Sequence, residues 1–207
     1  MLLRLGAWIA PWILLAGLSA QVIEFENNGL HYQTQTKGGV TIMYAHLPAP
    51  TKEYTVLQVA VSNGTKVTWV VKPEDFAFRR NDGTIMKAEP ARVVVGKLLE
   101  KASRSDVIRL VTTYEATLYG LGRIQSTNGY EQRRQQMHGE LGSAKIKAAA
   151  AASIIAFVQA RLKAGESTDG AMFFPVMGKS LGAGRLVVNA AGERFEFLPE
   201  ENGRVLE

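Results

Sequence analysis

The sequence predicts a mainly β protein, an antiparallel β-sandwich with a helical insertion and therefore α+β overall. Three observations carry this. From Gln21 to about Ala88 apolar residues recur with period two in short runs separated by Asn, Gly, Asp and Pro, the pattern of half-buried strands. From Pro90 to Gly165 the spacing changes to three and four, which places the apolar residues on one helical stripe. After Gly165 the period of two returns. Short strands that each hide one apolar face must stack as two sheets. The chain then divides into a leader (1–20), the first part of the sandwich (21–89), the insertion (90–165), the last strands (166–198) and an acidic tail (199–207). With 207 residues, 46% hydrophobic and 21% charged, the chain is long enough for a full core and is neither collagen-like nor disordered.

Met1–Ala20 opens with Arg4, runs through Leu5, Ala7, Trp8, Ile9, Trp12, Ile13, Leu14 and Leu15, and ends in Gly17, Ser19 and Ala20, the layout of a secretory signal. Cleavage near Ala20 is expected, with Ser19 the neighbouring choice. Pro11 interrupts the apolar run, which is shorter than the roughly 20 residues that span a bilayer. Alanine stands where a lipoprotein leader carries its lipidated cysteine, so the expected product is periplasmic or extracellular and not lipid-anchored.

Seven strands are expected in the first part: Val22–Phe25, Leu30–Thr34, Val40–Leu47, Tyr54–Ser62, Lys66–Val71, Phe76–Arg79 and Thr84–Lys87. Asn63-Gly64 is read as a type I′ turn joining Tyr54–Ser62 to Thr65–Val71, because Asn-Gly supplies two positive φ angles cheaply. Asn81-Asp82-Gly83 is a second tight turn, and Pro48-Ala49-Pro50 an extended connection. In the insertion, Val93, Val94, Lys97, Leu98 and Lys101 form one stripe and Val107, Ile108, Val111, Tyr114, Leu118 and Leu121 a second. Ser103 with Asp106 is a capping pair. Ser143 opens an alanine-rich helix, Ala144–Ala164, that Gly165 closes. Ala171–Val176, Arg185–Val188 and Arg194–Phe197 complete ten strands, with Ala191-Gly192 as a turn and a frayed tail from Pro199.

The sequence contains no cysteine, which excludes disulfides, thiolate metal sites and a cysteine nucleophile. Gly178-Lys179-Ser180 ends like a phosphate-binding loop, but Phe173 occupies the position of its first glycine. Gly120-Leu121-Gly122 meets Gln125 where a dinucleotide fingerprint needs a third glycine. His138-Gly139-Glu140 begins a deaminase signature that cannot be completed without cysteine. No serine has glycine two residues away on both sides. No catalytic residue, metal or cofactor is therefore assigned. His31 and His46 lie on neighbouring strands without a clear third ligand and read as surface residues. Trp69, Phe76 and Phe78 read as a core or sheet-edge cluster.

Charge is unevenly spread. Segment 21–89 carries seven basic and seven acidic residues, 90–165 twelve and five, and 166–207 four and seven. The insertion is the basic part, and Arg123, Arg133, Arg134, Lys145 and Lys147 are the candidate partner-binding residues, set against the plainer reading of a solvated helix face. Lipid headgroups, acidic polysaccharide or an acidic protein face fit such a surface. Nucleic acid does not, since aromatic residues are not interleaved with the basic ones.

Three stretches are similar to the telokin-like, immunoglobulin-like domains of bacterial exported proteins. They are Tyr54-Thr55-Val56-Leu57-Gln58-Val59-Ala60-Val61-Ser62-Asn63, Phe76-Ala77-Phe78-Arg79-Arg80-Asn81-Asp82-Gly83, and Leu162-Lys163-Ala164-Gly165-Glu166-Ser167-Thr168-Asp169-Gly170-Ala171-Met172-Phe173-Phe174-Pro175-Val176. The match covers about half of the mature chain, with the helical block replacing a short connection. The resemblance implies an immunoglobulin-like sandwich and a non-catalytic interaction role, and it supplies no site residues. The expectation is an exported module that binds a protein or cell-envelope partner through the basic insertion. The alternatives are a peripheral binder of anionic lipid or polysaccharide and, third, a hydrolase or metal-dependent enzyme with its pocket between sandwich and helices. Whether the helices pack on the sandwich or stand away from it is left open.

Overall fold

The structure, a computed structural model, describes residues 21–48, 53–101, 112–114, 116, 155–176 and 180–206. The strands are β1 (Val22–Asn27), β2 (Leu30–Lys37), β3 (Val40–Leu47), β4 (Tyr54–Asn63), β5 (Trp69–Val71), β6 (Phe76–Arg80), β7 (Ile85–Lys87), β8 (Ala160–Leu162), β9 (Ser167–Pro175), β10 (Ala183–Ala190), β11 (Glu193–Glu196), β12 (Glu200–Glu201) and β13 (Arg204–Val205); helix α1 is Ala91–Lys101. All ten predicted strands are present. The fold is mainly β, with one sheet in the order β1-β2-β3-β4-β9 and another in the order β13-β12-β10-β6-β7, to which β11 adds beside β10. The ladders within both sheets are antiparallel.

Alternation along the strands builds the core. Val40, Ile42 and Tyr44 of β3, Val59 and Val61 of β4 and Phe174 of β9 face Phe76 and Phe78 of β6 and Leu186 and Val188 of β10, with Phe195 and Phe197 closing the far side. Except along the edge strand β1, where Ile23 and Phe25 are exposed, the first sheet is covered on its other face as well. There Tyr32, Ala45, Val56, Ala171 and Phe173 meet Val94 of α1 together with Tyr114, Ile155 and Ala156. The described part of the insertion thus packs on the sandwich, and β4 and β9 are buried along nearly their whole length.

Three expectations are corrected. Asn63-Gly64 is not a hairpin turn: both edges of β4 are taken, by β3 and β9, and β5 pairs with β8 instead. The Asn63 side chain explains the departure. Its amide donates to Val67 O at 2.8 Å and Leu162 O at 3.0 Å, while its Oδ1 accepts from the Thr65 N–H at 2.9 Å and hydroxyl at 2.7 Å. Two-residue Asn-Gly hairpins do form, at Asn28-Gly29 and Asn202-Gly203, where all four φ angles are positive. Second, the alanine-rich helix does not reach Ala164. Ala156 bridges Ala171, Phe157 N–H donates to Ala171 O at 2.9 Å, and β8 follows as a strand. The free edge of β9 and the unpaired β5 offer this segment backbone partners, and that pairing outweighs local helix propensity. Third, the tail is not frayed, because β12 and β13 form a hairpin docked on β10.

Candidate functional site

The outer faces of the two sheets differ. The first is covered over β2, β3, β4 and β9, whereas the second carries exposed basic side chains around the buried Val187. On β6 and β10 the inward residues Phe76, Phe78, Leu186 and Val188 are fully buried, so alternation turns Ala77, Arg79, Arg185 and Val187 outward. Register then decides what meets. Arg185 lies directly opposite Arg79, which on its other side faces Ile85, and the next row runs Lys87, Ala77, Val187, Glu196. Asn189 and Arg194 form a third row. Ile85 is 63% exposed.

Like charges directly opposed across an antiparallel pair are destabilising, and the local acid only partly relieves this pair. Glu196 sits 2.7 Å from Arg194 but 3.7 Å from Arg185. Arg79 has no ion-pair partner among the described residues. Arg80 is committed at the strand end, where its guanidinium donates to Leu181 O at 2.6 Å and to Ser180 O at 3.2 Å. A shallow depression of about 270 Å³ opens here, lined by Arg79, Arg80, Asn81, Gly83, Arg185 and Glu196. Gly184 permits the close approach of β10 to β6, since a Cβ there would fall 2.5 Å from Arg79 O.

The remaining polar clusters hold elements together. His46 and the buried Glu200 are 2.6 Å apart, which fastens the C-terminal hairpin to β3. The Tyr44 hydroxyl is buried beside Glu200. Burial first, and then the Glu200 charge, push this phenol well above its ordinary range. On the covered face, Tyr32 donates to Gln58 at 3.0 Å and Tyr114 donates to the buried Asp169. Helix α1 is anchored by Glu89, which accepts from Tyr54 at 2.6 Å and from Lys97 at 2.7 Å. Burial raises the Glu89 carboxyl, but the hydrogen bonds from Lys97 and Tyr54 prevail and hold it below its ordinary range, while burial and Glu89 together push the Tyr54 phenol up.

Of the residues singled out in the sequence, Arg123, Arg133, Arg134, Lys145 and Lys147 lie outside the described residues, as do Gly178 and Lys179. His31 is exposed on β2, and His46 is engaged with Glu200 rather than with His31. Among the described residues no group of three His, Asp or Glu side chains is placed to hold a metal ion. Phe76 and Phe78 are in the core, with Trp69 packed against it. Arg79 and Arg185 were not anticipated: the Phe-Ala-Phe-Arg alternation signals an outward Arg79, but its pairing with Arg185 has no local signature. Comparison with family models, with curated proteins and with solved structures returns no match to this chain.

Proposed function

We propose that the protein is an exported, non-catalytic, immunoglobulin-like module that binds a component of the cell envelope through the outer face of β6, β7, β10 and β11. The observation that carries the reading is the contrast between the two outer faces. One is covered over β2, β3, β4 and β9 by α1 and the residues beside it, with Ile23 and Phe25 of β1 left exposed, and the other, among the described residues, sets Arg79, Lys87, Arg185 and Arg194 around Ile85, with Glu196 beside Arg194 and Glu201 on the neighbouring β12. A basic face with an apolar residue at its edge suits an anionic partner. The leader-like residues 1–20 support export. The resemblance to telokin-like domains is supported by a meeting of its motifs: Asn63, at the end of one, donates its N–H to Glu166 O at 2.9 Å and accepts from Gly165 N–H at 2.7 Å, in another. The remaining motif, Phe76–Gly83, supplies β6 and its Asp82 turn, where Asp82 accepts from Thr84 N–H at 2.8 Å.

The test is retention on isolated envelope fractions of the full chain, of a Lys87→Glu/Arg194→Glu variant and of an Arg133→Gln/Arg134→Gln variant. The reading expects the first variant to lose retention and the second to keep it. Loss confined to the second would return the binding surface to the insertion.

A further inference from the structure

We infer that the depression between Arg79 and Arg185 is a binding site for a tetrahedral oxyanion, a phosphate or sulfate group carried by the ligand. This rests on the reading of the second sheet as the binding face and specifies its chemistry. A pair of directly opposed arginines costs stability in the free protein, and the fold keeps both guanidinium groups on one side of adjacent strands. An anion between them turns the repulsion into two attractions, and the planar guanidinium fork matches the edge of a phosphate or sulfate bidentately. The neighbours fit this use. Arg80 lines the same depression and is locked onto Leu181 O and Ser180 O, which fixes the strand end and adds a stationary positive charge. Asn81 lines it as well, with its backbone N–H spent on Ala183 O at 3.0 Å and its side-chain amide available as a neutral donor. The one carboxylate lining it, Glu196, gives its Oε1 to Arg194, accepting from Nε at 2.8 Å and paired with that guanidinium at 2.7 Å, while its Oε2 lies 3.7 Å from Arg185 Nη1, so it answers part of the Arg185 charge and leaves Arg79 unanswered among the described residues. The site is open, so the oxyanion enters as the exposed end of a larger molecule and not as an enclosed ligand.

The experiment measures the melting temperature of the full chain in inorganic phosphate, in sulfate and in chloride at matched ionic strength, for the parent and for Arg79→Gln, Arg185→Gln and Arg79→Lys. The expected result is a rise in melting temperature with phosphate and sulfate that chloride does not produce, lost in both glutamine variants and weakened in Arg79→Lys, which keeps the charge but not the fork. Equal behaviour in chloride, or a phosphate response that survives in both glutamine variants, overturns the inference. Flotation with phosphatidylglycerol vesicles against phosphatidylcholine vesicles then tells the source: retention only on the former, abolished by Arg79→Gln, assigns the group to a lipid headgroup, and a phosphate response without flotation assigns it to a soluble or polymer-borne group. No oxyanion response together with intact face-dependent envelope retention defeats this inference alone. An oxyanion response with retention mapped to the insertion defeats the functional reading alone.

Discussion

The same substitution, glycine to alanine, is expected to have opposite effects at two positions, and the contrast tests how the insertion returns to the sandwich. Gly170 lies in β9 with its hydrogen directed at the chain that crosses at Phe157. An added Cβ would lie 2.7 Å from Phe157 N and 2.9 Å from Phe157 Cβ, and closer still to its Cα. The obstacle is backbone, so no side-chain rotation relieves it. Phe157 is itself fixed by its N–H bond to Ala171 O at 2.9 Å and by its edge contact with Phe76, ring centroids 5.5 Å apart. Gly170→Ala is expected to cost about 3 kcal/mol, the upper part of the usual overpacking range, which lowers the melting temperature by roughly 6–12 °C in a chain of this size. Gly96 lies within α1 and an added Cβ there meets nothing within 4 Å. Gly96→Ala is expected to stabilise by about 0.5–1 kcal/mol through the lower backbone entropy of the unfolded chain. Thermal and urea unfolding of the two variants beside the parent supply both numbers. A Gly170→Ala variant as stable as the parent would refute the crossing of Phe157 over β9, and with it the route by which the insertion rejoins the sheet.

Four further outcomes follow from the same geometry. Glu200→Ala leaves His46 without its partner and is expected to cost about 2 kcal/mol, with faster amide hydrogen exchange confined first to β12 and β13. The unfolded chain releases a tyrosine proton near pH ~10 while the folded chain holds the protons of Tyr44 and Tyr54, so stability is intact below that pH and falls above it; denaturant titrations at rising pH should show a shallower fall in Tyr44→Phe. Glu89 behaves in the opposite sense. Its carboxyl is held low in the folded state, so its contribution is present above pH ~4.3 and is lost as the pH drops through the folded value; Lys97→Met should remove part of that acid dependence and, since Lys97 is partly exposed, cost only about 0.5 kcal/mol at neutral pH. Arg79→Thr should stabilise the unliganded protein by about 0.5 kcal/mol at low salt, a gain that shrinks when melting is repeated in high salt.

The fold class was legible because Val40–Leu47 alternates, Tyr54–Asn63 is a short apolar, β-branched run, and both are bounded by turn residues. Pairing was not. Asn63-Gly64, Asn28-Gly29 and Asn202-Gly203 carry the same local signal, yet only the last two are hairpin turns. What separates them is whether a free strand edge lies next to the turn and whether the asparagine side chain is engaged elsewhere, and both depend on residues far along the chain. Ala160–Leu162 reads as helix because alanine surrounds it, and its strand pairing with Trp69–Val71 is purely tertiary. Glu200 reads as one acid in a polar tail, and nothing near it in the chain announces His46. The same limit governs the candidate site. An outward Arg79 can be read from Phe76-Ala77-Phe78-Arg79, whereas its juxtaposition with Arg185 is created by the β6–β10 register.

Which surface of the folded protein touches its partner decides between the exposed sheet and the insertion. A photo-crosslinking residue placed in turn at Lys87 and Arg194 on the exposed sheet, at Val93 on α1 and at Arg133 in the insertion, followed by irradiation in intact envelope, tests this directly. Adducts are expected from positions 87 and 194 and none from 93 or 133. Adducts from 133 or 93 alone would contradict this and assign binding to the insertion.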